Sequence, residues 1–204
     1  YNSLSEQQLE DIKIWLKNNN HSLFIHAPYD LNLSSDSPKS DSIQKKMKTL
    51  LNYLNDIQKM GGKGFVIHMG YALKMNPLQA TTNMIENIKY LIDKSNKSAP
   101  DVKILLETAA GQGSQIGVKL EDFAKIWNSF DSSYKKRLGV CIDTAHVFSA
   151  GQNIRTVVGV KLFLIKIIEL IGKENIKLFH INDSKRDLNS RIDKHLGIGK
   201  GFIY

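Results

Sequence analysis

His26, His68, Glu107, Asp143 and His180 each follow an apolar run, and the steps between them are 42, 39, 36 and 37 residues. The runs are Leu23-Phe24-Ile25, Phe65-Val66-Ile67, Ile104-Leu105-Leu106, Val140-Cys141-Ile142 and Ile176 to Phe179. Imidazole nitrogens and carboxylate oxygens are the donors that divalent metals take. Five such groups gathered in one place would repel or go unsatisfied, and a cluster of divalent ions is the simplest partner. Asp143-Thr144-Ala145-His146 adds an imidazole three positions after a carboxylate. Asp193 and His195 stand at alternate positions, so in an extended loop both side chains point the same way. The eight donors include no thiolate, which suits zinc or another borderline ion in open, catalytic coordination. His21 is read as a surface residue, and Cys141, inside an apolar strand, as a packing residue.

The elements that must position these donors recur as strand plus helix. Strands are expected at Leu23–His26, Gly64–His68, Lys103–Glu107, Leu138–Asp143 and Lys177–Ile181. Helix-like stretches fill the gaps. One carries Ile43, Met47, Leu50, Leu51, Leu54 and Ile57, following Pro38, and another starts at Asn76-Pro77. Two more carry Leu120, Phe123, Ile126 and Trp127, and Phe163 to Ile171. A first helix, with the capping pair Ser5 and Gln8, sets Leu9, Ile12, Trp15 and Leu16 on one apolar face. Strands joined through helices run parallel, and in a parallel barrel their C-terminal ends meet on the face where active sites form. The loop Gly111-Gln112-Gly113 lacks a Lys-Ser/Thr ending, so its glycines are expected to let backbone approach the donor site.

The 204 residues allow one sizeable core, and 42 % hydrophobic with 24 % charged residues is ordinary for a globular protein. A net charge of +8 favours an anionic partner such as nucleic acid. A single cysteine excludes an internal disulfide and fits an intracellular, reducing compartment, cytoplasm or nucleus. Val157 to Ile171 is interrupted by Lys161, Lys166 and Glu169, so it reads as a packed helix and not as a membrane span.

Four blocks carry a resemblance: Glu107-Thr108-Ala109-Ala110-Gly111-Gln112-Gly113, Gly139-Val140-Cys141-Ile142-Asp143-Thr144-Ala145-His146, Phe179-His180-Ile181-Asn182-Asp183-Ser184-Lys185, and Ser190-Arg191-Ile192-Asp193-Lys194-His195 with Gly197 and Gly199. In these the chain resembles endonuclease IV, the zinc-dependent apurinic/apyrimidinic endonucleases of family 2, over nearly its whole length. The resemblance implies a (β/α)₈ TIM barrel, of which this chain covers about five strand–helix units as a single endonuclease domain over residues 1–204. It implies three zinc ions, with Mn²⁺ as a substitute. The first would take His26, His68 and Glu107. The second would share Glu107 and add Asp143 and His180, and the third would take His146, Asp193 and His195. The implied enzyme is a monomeric DNA repair hydrolase. It cuts the phosphodiester 5′ to abasic sites in double-stranded DNA, with a metal-bridging hydroxide as nucleophile. Glu107 and Tyr29 are the implied catalytic residues, and Tyr29, Lys185, Arg191 and Lys194 the expected DNA contacts.

Three departures accompany it. A late-strand glutamate of the family's second zinc site is absent, as are the first strand and the loop after it. Five strands against eight lead to the expectation of one more strand before Tyr1 and two after Tyr204. Asp30 stands where the family has an apolar wedge for the base stack. The alternatives are a metal-dependent sugar isomerase or epimerase of the same barrel type, which binds one or two metals, and a non-catalytic DNA-binding remnant.

Overall fold

Five parallel strands pair strictly in chain order in the computed structural model, which describes residues 4–203. They are β1 (Phe24–His26), β2 (Gly64–Ile67), β3 (Lys103–Glu107), β4 (Leu138–Asp143) and β5 (Ile176–His180). β1 starts a residue later than expected. His68 falls just past β2, and β5 begins at Ile176 because that residue pairs with Val140 across a register shift. Tyr1 and Tyr204, beyond which further strands were expected, lie outside the described residues.

Alternation along the strands sorts their side chains into two layers. Phe24, Val66, Leu105, Cys141 and Leu178 cluster on one face. Two residues further on, each strand presents a donor on the same face: His26, His68, Glu107, Asp143 and His180. The donors therefore form a tier resting on an apolar floor. Cys141 belongs to that floor and is buried, as expected of a packing residue. The opposite face, with Phe65, Ile67, Ile104, Leu106, Val140 and Ile142, packs under the helices in the main core. Each such side chain buried stabilises the fold by roughly 1.5–3 kcal/mol.

The helices are α1 (Glu6–Asn18), α2 (Asp41–Lys59), α3 (Pro77–Ser95), α4 (Leu120–Asn128), α5 (Ser132–Lys135), α6 (Thr144–Ser149) and α7 (Val157–Ile171). Ser5 and Gln8 form the expected capping box. Ser40 caps α2, so that helix starts after Pro38 on a hydrogen bond that Ile43 N donates to Ser40 Oγ. The buried stripe of α2 is Ile43, Met47, Leu50, Leu54 and Ile57, with Leu51 half-buried. Trp15 does not join the apolar face of α1. It is 55 % exposed, because six residues beyond Leu9 turn it about 120° away. Nor is α7 fully packed. Phe163, Ile167 and Ile171 are buried, whereas Val158, Leu162 and Ile165 face outward. No helix among the described residues is long and apolar enough to cross a membrane.

Arg137, just before β4, ties three elements together. Its guanidinium donates to the carbonyls of Ala99 and Val102 at 2.7 and 3.1 Å and to Asn96 Oδ1 at 2.8 Å. It thus serves the C-terminal end of α3 and the start of β3. Arg137→Met should cost roughly 2–3 kcal/mol, since hydrogen bonds from a charged donor are lost and carbonyls are left unpaired. Thermal unfolding checks this, with an expected drop of roughly 4–12 °C. An unchanged midpoint would mean that water replaces the guanidinium.

Candidate metal centre

The donor tier closes around Glu107, whose side chain is 1 % exposed at the end of β3. Oε2 of Glu107 lies 3.0 Å from His26 Nε2 and 3.3 Å from His68 Nε2. Its other oxygen, Oε1, lies 2.6 Å from His180 Nδ1, which is 3.7 Å from Asp143 Oδ2. One carboxylate therefore faces two groups of donors, one with each oxygen. A third group sits beside them. His146, on α6, and His195, on the hairpin of β6 (Asp183–Ser184) and β7 (His195–Leu196), hold their Nε2 atoms 3.3 Å apart. Both lie 3.1 Å from Asp193 Oδ1. An open cleft of about 460 Å³ is lined by all eight donors together with Tyr29 and Asn182.

Two of the rings are fixed in tautomer by carbonyls. His26 Nδ1 donates to Ala27 O at 2.6 Å, and His146 Nδ1 to Thr108 O at 2.8 Å. In the neutral ring each Nε2 then carries a lone pair aimed at a carboxylate oxygen, so acceptor faces acceptor at 3.0 and 3.1 Å. Only a proton or a cation between them relieves the repulsion. The first remedy shows as raised imidazole pKa values. For His26 the cause is the Glu107 hydrogen bond. His146 is pushed up to about 9, since Asp193, Asp143 and Glu107 together outweigh a burial that opposes the charge. Burial lowers His68, and Glu107 is held well below the usual carboxylate range because His180 and His26 overcome its desolvation. The second remedy is a metal. Ligand atoms around a tetrahedral zinc with bonds of about 2.0–2.1 Å stand roughly 3.3–3.4 Å apart, close to the 3.0 to 3.3 Å separations around Glu107 Oε2 and within the third group. Those two groups fit such an ion, whereas Glu107 Oε1 and His180 Nδ1, at 2.6 Å, are closer than two ligands of one zinc.

Donor atoms within 4.8 Å of one another sort into three groups: His26, His68 and Glu107; Glu107, Cys141 and His180; Asp143, His146 and His195. The first is the expected set. In the second, Cys141 occupies the expected place of Asp143, but its thiol is pushed up by burial and belongs to the apolar floor. In the third, Asp193 is nearer the two imidazoles than Asp143, whose closest approach to His195 is 3.9 Å.

Residues that local spacing could not flag hold the donors in place. Asn182 Nδ2 donates to Asp143 Oδ2 at 2.6 Å, and Asp143 N donates to Thr108 Oγ1. The side chain of Gln112 accepts from Asp193 N at 2.9 Å. This corrects the reading of Gly111-Gln112-Gly113. Gly111 does need its positive φ of 91°, yet a Cβ there would strike Val118 and come close to Arg191, not the donors. The loop reaches the site through Gln112.

The family described as xylose isomerase-like TIM barrel matches residues 1–204. "Probable endonuclease 4" of Nitrosopumilus maritimus is 30 % identical over 204 residues, 98 % of this chain and 70 % of that protein. The chain belongs to the endonuclease 4 family. A second "Probable endonuclease 4", from Aquifex aeolicus, is 33 % identical over 188 residues, and the chain spans only 64 % of its length. The crystal structure of endonuclease IV from Thermus thermophilus superposes with a TM-score of 0.78 at 23 % identity, over 99 % of this chain and 68 % of that one. Endonuclease 4 chains are thus TIM barrels, and these five strands are part of one.

Against the endonuclease 4 reading of the rim, the expected DNA contacts divide. Tyr29 lines the cleft, with its ring edge-on to His68 at 5.3 Å. Burial and its neighbour Tyr71 raise the pKa of its phenol. Lys185 and Lys194 are exposed on the hairpin, where Lys185 N pairs with Lys194 O. Arg191 turns into a neighbouring groove with Val118 and Lys119. None of the three bases lines the donor cleft. Asp30 lines a separate hollow with Lys46 and Tyr53.

Proposed function

We propose that the chain carries the centre of a zinc-dependent endonuclease that hydrolyses the phosphodiester 5′ to abasic sites in duplex DNA. The observation that supports this most is the third donor group, His146, Asp193 and His195, packed beside the first two. A sugar isomerase or epimerase holding one or two ions has no use for it. His26, His68 and Glu107 would hold one zinc ion, Glu107, Asp143 and His180 a second, and the third group another, with Mn²⁺ as a substitute. When bound, zinc supplies a water of lowered pKa and offsets charge on the phosphoryl oxygens.

The chain's own groups do the rest. Glu107 spans two donor groups with its two oxygens. Tyr29 stands at the rim, where a missing base would leave room for its ring. The exposed Lys185 and Lys194, with Arg191 further out, meet phosphates. We read residues 1–204 as belonging to one TIM-barrel domain of a monomer in a reducing compartment, in keeping with the single buried Cys141.

The test is metal analysis of the full-length protein with nicking of a duplex bearing one abasic site. Close to three zinc ions per chain and a 3′-hydroxyl 5′ to the lesion are expected. Sugar isomerisation without nicking would favour the isomerase, and DNA binding without either activity the remnant. Binding should also weaken with salt. Lys185→Ala, Arg191→Ala and Lys194→Ala should each reduce the log–log slope by about 0.9 for every phosphate no longer neutralised. Slopes unaltered by all three would mean that these side chains are merely solvated.

A further inference from the structure

Tyr71 follows the β2 donor His68 by three residues, and its hydroxyl joins two otherwise separate paths to Asp193. Its backbone is held firmly. Tyr71 N donates to Asn32 Oδ1 at 3.1 Å, Asn32 Nδ2 donates back to Tyr71 O at 3.0 Å, and Tyr71 bridges to Gln115. The side chain of Gln115 can be oriented without ambiguity. Its Oε1 accepts from Gly111 N at 2.8 Å and Gln112 N at 2.9 Å, so its Nε2 must be the atom facing Tyr71, at 3.3 Å.

That orientation fixes each proton further along. The Tyr71 oxygen accepts from Gln115, so its own proton goes to the Tyr29 oxygen at 3.2 Å. The Tyr29 proton in turn goes to Asp193 Oδ2 at 3.3 Å. The ring closes through the backbone, because Gln112, whose N–H is bound to Gln115, accepts from Asp193 N with its side chain at 2.9 Å. Asp193 is therefore gripped at its amide and at one carboxylate oxygen. The other oxygen, Oδ1, is left facing His146 and His195.

We infer that Tyr71 is a positioning residue for the third donor group. Oriented by Gln115 and acting through Tyr29, it sets the carboxylate rotation of Asp193 and so the grip of that group on a divalent cation. This rests on the metal reading above and goes beyond it, since it assigns Tyr71 and Gln115 a part in only one of the three groups. Partners bonded directly to a donor, as Tyr29 is to Asp193, typically alter metal affinity by about 10- to 100-fold, and Tyr71 acts through that partner.

The test uses Co²⁺ titrated into metal-stripped full-length protein, followed by its visible absorption, for the unaltered protein, Tyr71→Phe, Tyr29→Phe and the double variant. Phenylalanine keeps the packing and removes only the hydroxyl, and thermal melts run in parallel report folding. We expect one of three binding steps to weaken by about 10- to 100-fold in Tyr71→Phe while the other two stay. We expect Tyr29→Phe to do the same, and the double variant to be no worse than Tyr29→Phe alone, since the Tyr71 hydroxyl reaches the Asp193 carboxylate only through Tyr29. Gln115→Leu, which removes the amide that orients the Tyr71 hydroxyl, should weaken the same step. Three steps unchanged in Tyr71→Phe, or all three weakened together, would overturn the inference while leaving the metal reading intact. An unaltered protein with no third step would overturn both.

Discussion

On the proposed function, Glu107→Gln should lower incision of abasic-site DNA by about 100- to 1,000-fold and reduce the zinc content. Glu107 contacts His26 and His68 through one oxygen and His180 through the other, so it is the single residue common to two donor groups. The amide keeps the shape. It removes the charge and replaces one acceptor with an N–H that faces imidazole nitrogens. Desolvation raises the stakes, because a side chain 1 % exposed has no water with which to compensate. Zinc content and single-turnover nicking should fall together, with the thermal midpoint measured alongside. Near-normal incision with full zinc content would show that Glu107 bridges nothing.

Asp183→Ala should disorder the hairpin that carries Asp193 and His195 while leaving β1–β5 folded. Asp183 is 3 % exposed, and its carboxylate accepts from four backbone amides, those of Ser184, Gly199, Gly201 and Ile203, at 2.8 to 3.1 Å. Each donor stranded in a buried position costs about 1–3 kcal/mol, and partial rehydration of the four leaves a local loss on the order of 3–6 kcal/mol. Those amide bonds outweigh burial and hold the carboxyl below its ordinary range. A depressed carboxylate stabilises above its unfolded pKa of about 3.9 and ceases to do so as pH falls through the folded value. The hairpin should therefore loosen in acid. Hydrogen exchange at residues 184, 199, 201 and 203 reads both effects. Protection that survives the substitution would sink this account.

The donors on β1 to β5 were legible because each follows an apolar run whose last inward residue lies two positions earlier. Phe24 before His26 and Leu105 before Glu107 are examples. Strand and helix periods carried the fold in the same way. Trp15 and α7 were misjudged for one reason: an apolar residue shows that a surface is sticky but not whether anything covers it. The short α5 and α6 have too few turns to show a period. Arg137, Gln112, Tyr71 and Asp183 gave no sign of these roles because each is an ordinary polar residue locally. Apart from Ser184 beside Asp183, the partners that define the roles lie 16 to 81 residues away, such as Gly199 for Asp183 and Asp193 for Gln112.

The strictly sequential strand order bears on how the protein comes together. Paired residues such as Phe24 and Gly64, Gly64 and Lys103, Ile104 and Leu138, and Val140 and Ile176 are 40, 39, 34 and 36 positions apart. Loops so alike in length differ in closure entropy by only about 0.1 kcal/mol, so chain length gives no ladder precedence. Topology does more. His26, His68 and Glu107 come from β1, the end of β2 and β3, and Glu107, Asp143 and His180 from β3, β4 and β5. No single ladder therefore completes a donor group, and a cation would find a full cage only after two successive ladders have closed.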